Sequence, residues 1–211
     1  MKLFIYEHCP FCVRARMIFG LKDLPFEQSV IMENDIDTPT RMVGRKVVPI
    51  LQKEDGSFMP ESMDIVRYVD SKKAPLIADK PVDDDIEAWC KSASSTVFNL
   101  AVPRFTQTDF KELSTPEARN AYIQREEKAF GDLDALIAKT PELIADVEKK
   151  LAMLEPRLNN INTISTTDFI LFPILLSLTI VKDVQFGPNV HAYLERVSKA
   201  CKVALLTDKA L

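Results

Sequence analysis

The order of apolar and polar positions divides the chain into two unlike parts. "KLFIY" (Lys2–Tyr6) is a short apolar run rich in strand-forming residues, as expected of a buried strand. Beyond it Val13, Met17, Ile18 and Leu21 recur at helical spacing, with Gly20 near the expected helix end. "FEQSV" (Phe26–Val30) alternates after Pro25 and predicts a second strand. A helical turn is expected from Thr38, with Pro39 at its first position, where a missing N–H costs little. "VVPIL" (Val47–Leu51) and "FMP" (Phe58–Pro60) predict two further strands. The turn between them, "KEDGS", holds Asp55-Gly56, a strong hairpin signal. Ser62, read as an N-cap, opens a helix whose Ile65, Val66 and Val69 share one face. Strands and helices in this order imply a small mixed sheet with helices packed on it.

Residues 73–85, "KAPLIADKPVDDD", hold two prolines, no periodicity and an acidic run, and read as a linker. From residue 86 to 211 the patterns are helical throughout. The clearest helix start is "ISTTDF". Ser165 stands at the N-cap, Asp168 at the third helical position, and Ile164 and Phe169 are placed as a hydrophobic staple. The following run "FILFPILLSLTIV" (Phe169–Val181) predicts a central helix bent at Pro173. The expected organisation is therefore an α/β domain over 1–72, a linker over 73–85 and an all-α domain over 86–211.

Composition narrows the function. The 211 residues are 46% hydrophobic and 27% charged with a net charge of −4, which suits a folded core and lacks the concentrated basic footprint of a nucleic-acid binder. The apolar residues after Lys2 are too few for a signal-peptide core, and the 13-residue apolar run is too short to span a bilayer. The chain reads as soluble and cytoplasmic, with neither nucleic acid nor membrane as a partner. Structural disulfides rarely persist in that compartment.

That makes the spacing of Cys9 and Cys12 informative, because a close pair in a reducing compartment points to catalysis or metal binding. A strand running into C-x-x-C and then a helix puts Cys9 at the helix start, with Pro10 in the first turn. Free backbone N–H groups and the helix dipole favour a thiolate there. Arg14 and Arg16 add positive potential, and such thiols titrate at roughly 3.5 to 7.5. Cys12, one turn in and deeper, is placed to resolve what Cys9 attacks. A four-cysteine zinc site needs a second close pair, whereas Cys90 and Cys201 are lone residues; no metal is expected. The other reading is two inert buried cysteines. Cys90 and Cys201 read as core fillers, Trp89 as packing at the domain junction, and His8 as a satisfied or exposed loop residue. In "MPESMDIV" a helix N-terminus with Ser62 suits a carboxylate and Glu61 an ammonium, the two groups of an α-amino acid.

"CPFC" after a strand, "VVPI" and "PES" opening a helix resemble the N-terminal domain of glutaredoxins and glutathione transferases. With the helical domain and its Ser165-x-x-Asp168 cap, and with "ARMIFG", "TPTRMVG" and "VPILQK", the whole chain is similar to the bacterial glutaredoxin 2 family. The resemblance implies a thioredoxin-like domain followed by an all-α domain in a glutathione transferase-like architecture. It implies a glutathione-dependent thiol-disulfide oxidoreductase of the electron-transport kind, with glutathione as cosubstrate and disulfide-containing or glutathionylated proteins as partners. Cys9 is then expected to carry the mixed disulfide. Pro49 is expected cis, turning the Val48 backbone outward to the cysteinyl part of glutathione, and Glu61 and Ser62 hold the γ-glutamyl end. Pro10, Phe11 and Arg14 support the dithiol. Arg14, Arg45 and Lys46 are candidates for the glycyl carboxylate. The rival readings are a glutathione transferase that conjugates electrophiles, and a non-enzymatic binding module of the same fold.

Overall fold

A computed structural model describes residues 1–77, 81–158 and 163–211, so part of the predicted 73–85 linker lies outside the described residues. The first half is built on four strands, β1 (Lys2–Ile5), β2 (Glu27–Val30), β3 (Ile50–Gln52) and β4 (Phe58–Met59), in the order β2-β1-β3-β4. β1 runs parallel to β2, with Leu3 opposite Gln28, and antiparallel to β3, with Leu3 opposite Leu51. β3 and β4 form the expected hairpin, with Gly56 at φ +83° in its turn, a conformation glycine adopts at little cost. The helices of this half are α1 (Pro10–Lys22), α2 (Asp37–Val43) and α3 (Ser62–Asp70).

Several boundaries differ from the sequence reading. α2 starts at Asp37 rather than Thr38, so the buried Pro39 is its third residue; the Asp35 carboxylate accepts the Thr38 N–H at 2.9 Å. β3 begins at Ile50 rather than Val47, because Pro49 has no N–H to give a ladder. Ser62 is the first residue of α3 and not its cap, which is Glu61 at φ +72°. Gly20 lies in the last turn of α1, near the helix end as read; the helix continues to Lys22 and closes on Asp23 in the left-handed region at φ +50°. A Cβ on Gly20 would stand 1.7 Å from the Cys201 carbonyl oxygen, so its glycine lets another helix end approach.

The second half, among the described residues, is helical: α4 (Asp84–Phe105), α5 (Pro116–Phe130), α6 (Leu133–Ala138), α7 (Thr140–Leu154), α8 (Asp168–Leu178) and α9 (Pro188–Cys201). The acidic run read as linker is the start of α4. Asp83 caps it, accepting the Ile86 N–H at 3.0 Å, and Asp84 and Asp85 sit in the first turn, where carboxylates suit the positive end of the dipole. α8 begins at Asp168, and its capping box is one-sided. The Asp168 carboxylate accepts both the Ser165 backbone N–H at 2.7 Å and its hydroxyl at 3.0 Å, while the Asp168 N–H bonds the Ser165 carbonyl. α8 is the central helix, buried at every residue except Ile170 and packed on α4. Trp89 donates its ring N–H to the Lys150 carbonyl on α7 at 2.8 Å. It therefore fastens two helices of the second half and belongs to the core shared by both halves.

α1 packs on α3 within its own half and on α8 and α9 of the other. One apolar core accordingly runs from Leu3 and Ile5 through α1 and α4 to Cys201. The strand end that leads to Cys9 is held against the helical half by this shared interior.

Candidate active site

β1 delivers the chain through Tyr6, Glu7 and His8 to Cys9, the N-cap residue of α1 with extended backbone (φ −69°, ψ 121°). Pro10 is the first helical residue, where its ring needs no donor. The Cys9 sulfur accepts the backbone N–H of Cys12 at 3.4 Å, so a sulfur takes the role that Ser, Thr or Asp oxygens usually fill at a cap. Cys12 is wholly buried, and its own sulfur accepts the Tyr6 N–H at 3.4 Å. Both thiols are free, and Cys9 is half-buried.

The two sulfurs have opposite acidities. The Cys12 thiol hydrogen-bonds to Cys9 and is the largest influence lowering it; burial opposes, and the charge of His8 and the N–H groups of Cys12 and Phe11 lower it further, to about 7. Cys12 is pushed well up, by burial first and then by serving as the donor to Cys9. The shifts run in the direction expected from sequence, the outer thiol lowered and the inner one raised. Of the two arginines expected to add positive potential, Arg14 interacts electrostatically with Cys9, while Arg16 faces Cys12, Glu7 and Glu112. Arg14 is half-buried, with its guanidinium carbon 4.8 Å from the centroid of the Phe11 ring, and Phe11 is exposed beside it. The ring that contributes to lowering Cys9 is that of His8, a satisfied residue as read, since its Nδ1 lies 2.6 Å from Glu112 Oε1.

Cys9 opens on a cavity of about 460 Å³ between the two halves. Tyr6, His8, Pro10, Phe11 and Val48 line one wall, and Phe98, Val102, Phe105 and Phe130 from α4 and α5 give the other an apolar face. Lys46, Arg125 and Glu126 supply charge. Lys46 Nζ and Arg125 both reach the fully buried Glu33, at 2.8 and 2.6 Å, which ties α5 to the loop before β3. Burial, then the Glu33 charge, keeps the Tyr6 phenol protonated far above its usual range.

The Val48–Pro49 bond is cis. Among the described residues no other group of the chain hydrogen-bonds to the Val48 amide or carbonyl, and Val48 lines the cavity while Pro49 is buried behind it. Glu61 and Ser62 lie outside the cavity lining. Glu61 is exposed and pairs with Arg45, and Ser62 is buried at the start of α3. Of the three basic candidates, Lys46 alone faces the cavity. Glu33, Glu112 and Arg125 were not found from sequence. Glu112 reaches His8 across 104 positions and Arg125 reaches Glu33 across 92, and no local spacing marks these two pairs. Among the described residues no group of three or more His, Cys, Asp or Glu side chains is placed to hold a metal ion, and no helix is long and apolar enough to cross a membrane.

The comparisons with known proteins agree with this geometry. Residues 85–210 match the family described as glutaredoxin 2, C terminal domain, and residues 3–76 match the glutathione S-transferase N-terminal domain. Glutaredoxin 2 of Escherichia coli strain K12 is 41% identical over 216 aligned positions, covering 100% of both chains. The structure of glutaredoxin 2 from Salmonella typhimurium in complex with glutathione superposes with a TM-score of 0.95 at 41% identity, over 100% of this chain and 98% of that one. A glutathione transferase from Phanerochaete chrysosporium, 13% identical over 94% of this chain and 96% of its own, shares the fold with a TM-score of 0.73. A strand-to-helix dithiol in a thioredoxin-like half, an all-helical half sharing its core, and full-length identity of this order place the chain in one family: it belongs to the glutaredoxin 2 family.

Proposed function

We propose that the protein is a glutathione-dependent thiol-disulfide oxidoreductase that reduces glutathione mixed disulfides and protein disulfides. The observation that carries this is the Cys9 sulfur at the N-cap of α1, with the Cys12 thiol as its hydrogen-bond donor and a cavity in front of it. The Cys9 thiolate attacks the glutathione sulfur of a mixed disulfide. The new Cys9–glutathione bond forms as the old S–S bond breaks, and the displaced thiolate takes a proton from water. A second glutathione thiolate then attacks the glutathione sulfur on Cys9, giving oxidised glutathione and restoring the Cys9 thiolate. With a protein disulfide, the Cys9 thiolate attacks one sulfur and expels the first protein thiolate. Cys12 then gives its proton to water and attacks the Cys9 sulfur of this mixed disulfide, expelling the second protein thiolate and leaving a Cys9–Cys12 disulfide that two glutathione molecules reduce as they become oxidised glutathione. An acidity near neutral serves both steps, since it populates the nucleophile and makes Cys9 a good leaving group.

In this reading Val48 offers its backbone pair to the cysteinyl part of glutathione, with Pro49 fixing it, and Glu61 and Ser62 take the γ-glutamyl end. Glu61 must leave Arg45 to do so. Pro10, Phe11 and Arg14 shape the entrance, and Lys46 is the basic residue best placed for the glycyl carboxylate. The same proposal takes residues 1–72 and the helical half that opens at Asp84 as two domains, working in the cytoplasm in electron transport. The apolar wall of the cavity favours a second reading, a transferase conjugating apolar electrophiles.

A coupled assay separates these: glutathione, a small mixed disulfide and glutathione reductase, followed by nicotinamide consumption. Wild type turns over, Cys9→Ser does not, and Cys12→Ser keeps mixed-disulfide turnover but loses protein-disulfide reduction. Turnover that survives Cys9→Ser overturns the assignment. Activity on an aromatic chloride without disulfide turnover establishes the transferase.

A further inference from the structure

The loop before Cys9 is gripped by one short turn of the helical half. In the 3₁₀ turn Lys111–Leu113, Glu112 is fully buried. Its Oε1 accepts the His8 backbone N–H at 3.1 Å and faces His8 Nδ1 at 2.6 Å. The Glu112 carbonyl accepts the Glu33 N–H at 3.0 Å, and the Lys111 N–H bonds Glu7 at 3.1 Å. The His8 ring is walled by aromatic rings, Tyr122 at 4.8 Å, Phe105 at 5.2 Å, Phe110 at 5.6 Å and Tyr6 at 5.9 Å between centroids. None of these donates or accepts in place of Glu112, and a buried ring with a net charge needs a paired carboxylate.

The geometry points to Glu112 as the positioning residue of the dithiol: from the helical half it fixes the His8 ring, and the charge His8 brings, beside the Cys9 sulfur. This rests on Cys9 being the nucleophile. Burial would raise the Glu112 carboxyl, yet the His8 hydrogen bond and charge, with the N–H groups of Glu7 and His8, carry it below the usual carboxylate range. The other groups facing these three are Cys12, Tyr6, Tyr122 and Arg14 around Cys9, and Arg16 and Cys12 around Glu112.

The sign of the effect makes the inference testable. Acting directly, the Glu112 negative charge disfavours a nearby thiolate, so its removal would lower the Cys9 midpoint. Acting through His8, its removal takes away positive charge and raises the midpoint. Glu112→Gln keeps an acceptor for both His8 hydrogen bonds, and its second amide atom takes the place of Oε2, which has no hydrogen-bond partner among the described residues. The experiment is the pH profile of Cys9 alkylation by iodoacetamide in the reduced full chain, with near-ultraviolet circular dichroism as the check on folding. We expect the Glu112→Gln midpoint to rise by roughly 0.5 to 1 pH unit. In a His8→Phe background, where the ring still fits the aromatic wall, the same substitution leaves the midpoint unchanged or lowers it. A folded Glu112→Gln with an unchanged or lowered midpoint overturns the inference, as does a rise of equal size in the His8→Phe background. Should Glu112→Gln not fold, His8→Phe alone decides, since the inference requires its midpoint to rise. A wild-type midpoint above 8.5 defeats the thiolate reading itself and is distinguishable from either result.

Discussion

Replacing Cys12 by alanine tests what holds the charge on Cys9. The Cys12 thiol is the largest influence lowering Cys9 to about 7, and alanine removes this donor while filling most of the space. A hydrogen bond to a charged group is worth roughly 1.5–3 kcal/mol. An S–H group is a weak donor, so the lower end applies, about one pKa unit at 1.36 kcal/mol per unit. The alanine variant should then titrate near 8, and its thiolate fraction at pH 7 falls from about one half to about one tenth. Intrinsic nucleophilicity moves the other way, rising about threefold per unit with a Brønsted slope near 0.45. The net alkylation rate at pH 7 therefore falls only about twofold, whereas above pH 9 the variant should react about threefold faster than wild type. The two pH profiles must cross. Cys12→Ser keeps a hydroxyl donor and should stay within about half a unit of wild type. Iodoacetamide rates from pH 5 to 10 measure all three, because Cys90 and Cys201 are buried and their thiols are pushed up to about 12. A Cys12→Ala profile superimposable on wild type would refute the view that the inner thiol holds the outer charge.

Two further outcomes test the frame around the dithiol. Gly20→Ala exchanges a poor helix former for the best one, worth about 1 kcal/mol of gain in an open helix. Here the added Cβ meets the Cys201 carbonyl at 1.7 Å, and the overpacking cost, typically about 1–3 kcal/mol and more against rigid backbone, wins; thermal unfolding should show a lower Tm, and a raised one would contradict the packing. Lys22→Met removes a buried cation that lies 2.6 Å from Asp70 and donates to the Lys73 carbonyl at 2.7 Å. Losing one member of a buried pair costs about 3–5 kcal/mol, so the urea midpoint should fall, and a loss below about 1 kcal/mol would show that the pair is not a mainstay of the connector.

How much of this was legible in the sequence follows from how far apart the interacting residues stand. The strand before Cys9, the helix after it and Pro10 at the first helical position are local and could be read directly. So could the unequal burial of Cys9 and Cys12, which lie one turn apart. Motifs were read correctly as motifs but not always as geometry: Ser165 and Asp168 do meet, yet the carboxylate takes both bonds and the hydroxyl caps nothing. Charge was legible only in part. Arg14 does interact with Cys9, but Arg16 faces Cys12, Glu7 and Glu112, and the largest influence on Cys9 is the hydrogen bond from the inner thiol. Gly20 does lie near its helix end, but the Cys201 carbonyl that requires a glycine there lies in the last helix and leaves no local mark.

The residues hidden from sequence share one property: each joins the two halves. Glu112 reaches His8 across 104 positions, and Arg125 reaches Glu33 across 92. Both contacts land on the walls of the cavity in front of Cys9. A helix start alone stabilises an anion by about 0.3–1 kcal/mol, under one pKa unit at 1.36 kcal/mol each, whereas Cys9 is lowered from 9.0 to about 7 against the opposing cost of burial. Much of the difference comes from the inner thiol, whose burial depends on the shared core, with a further part from a histidine whose ring partner is on the helical side. The helical half is therefore part of the dithiol's electrostatic environment, in addition to forming the far wall of the cavity.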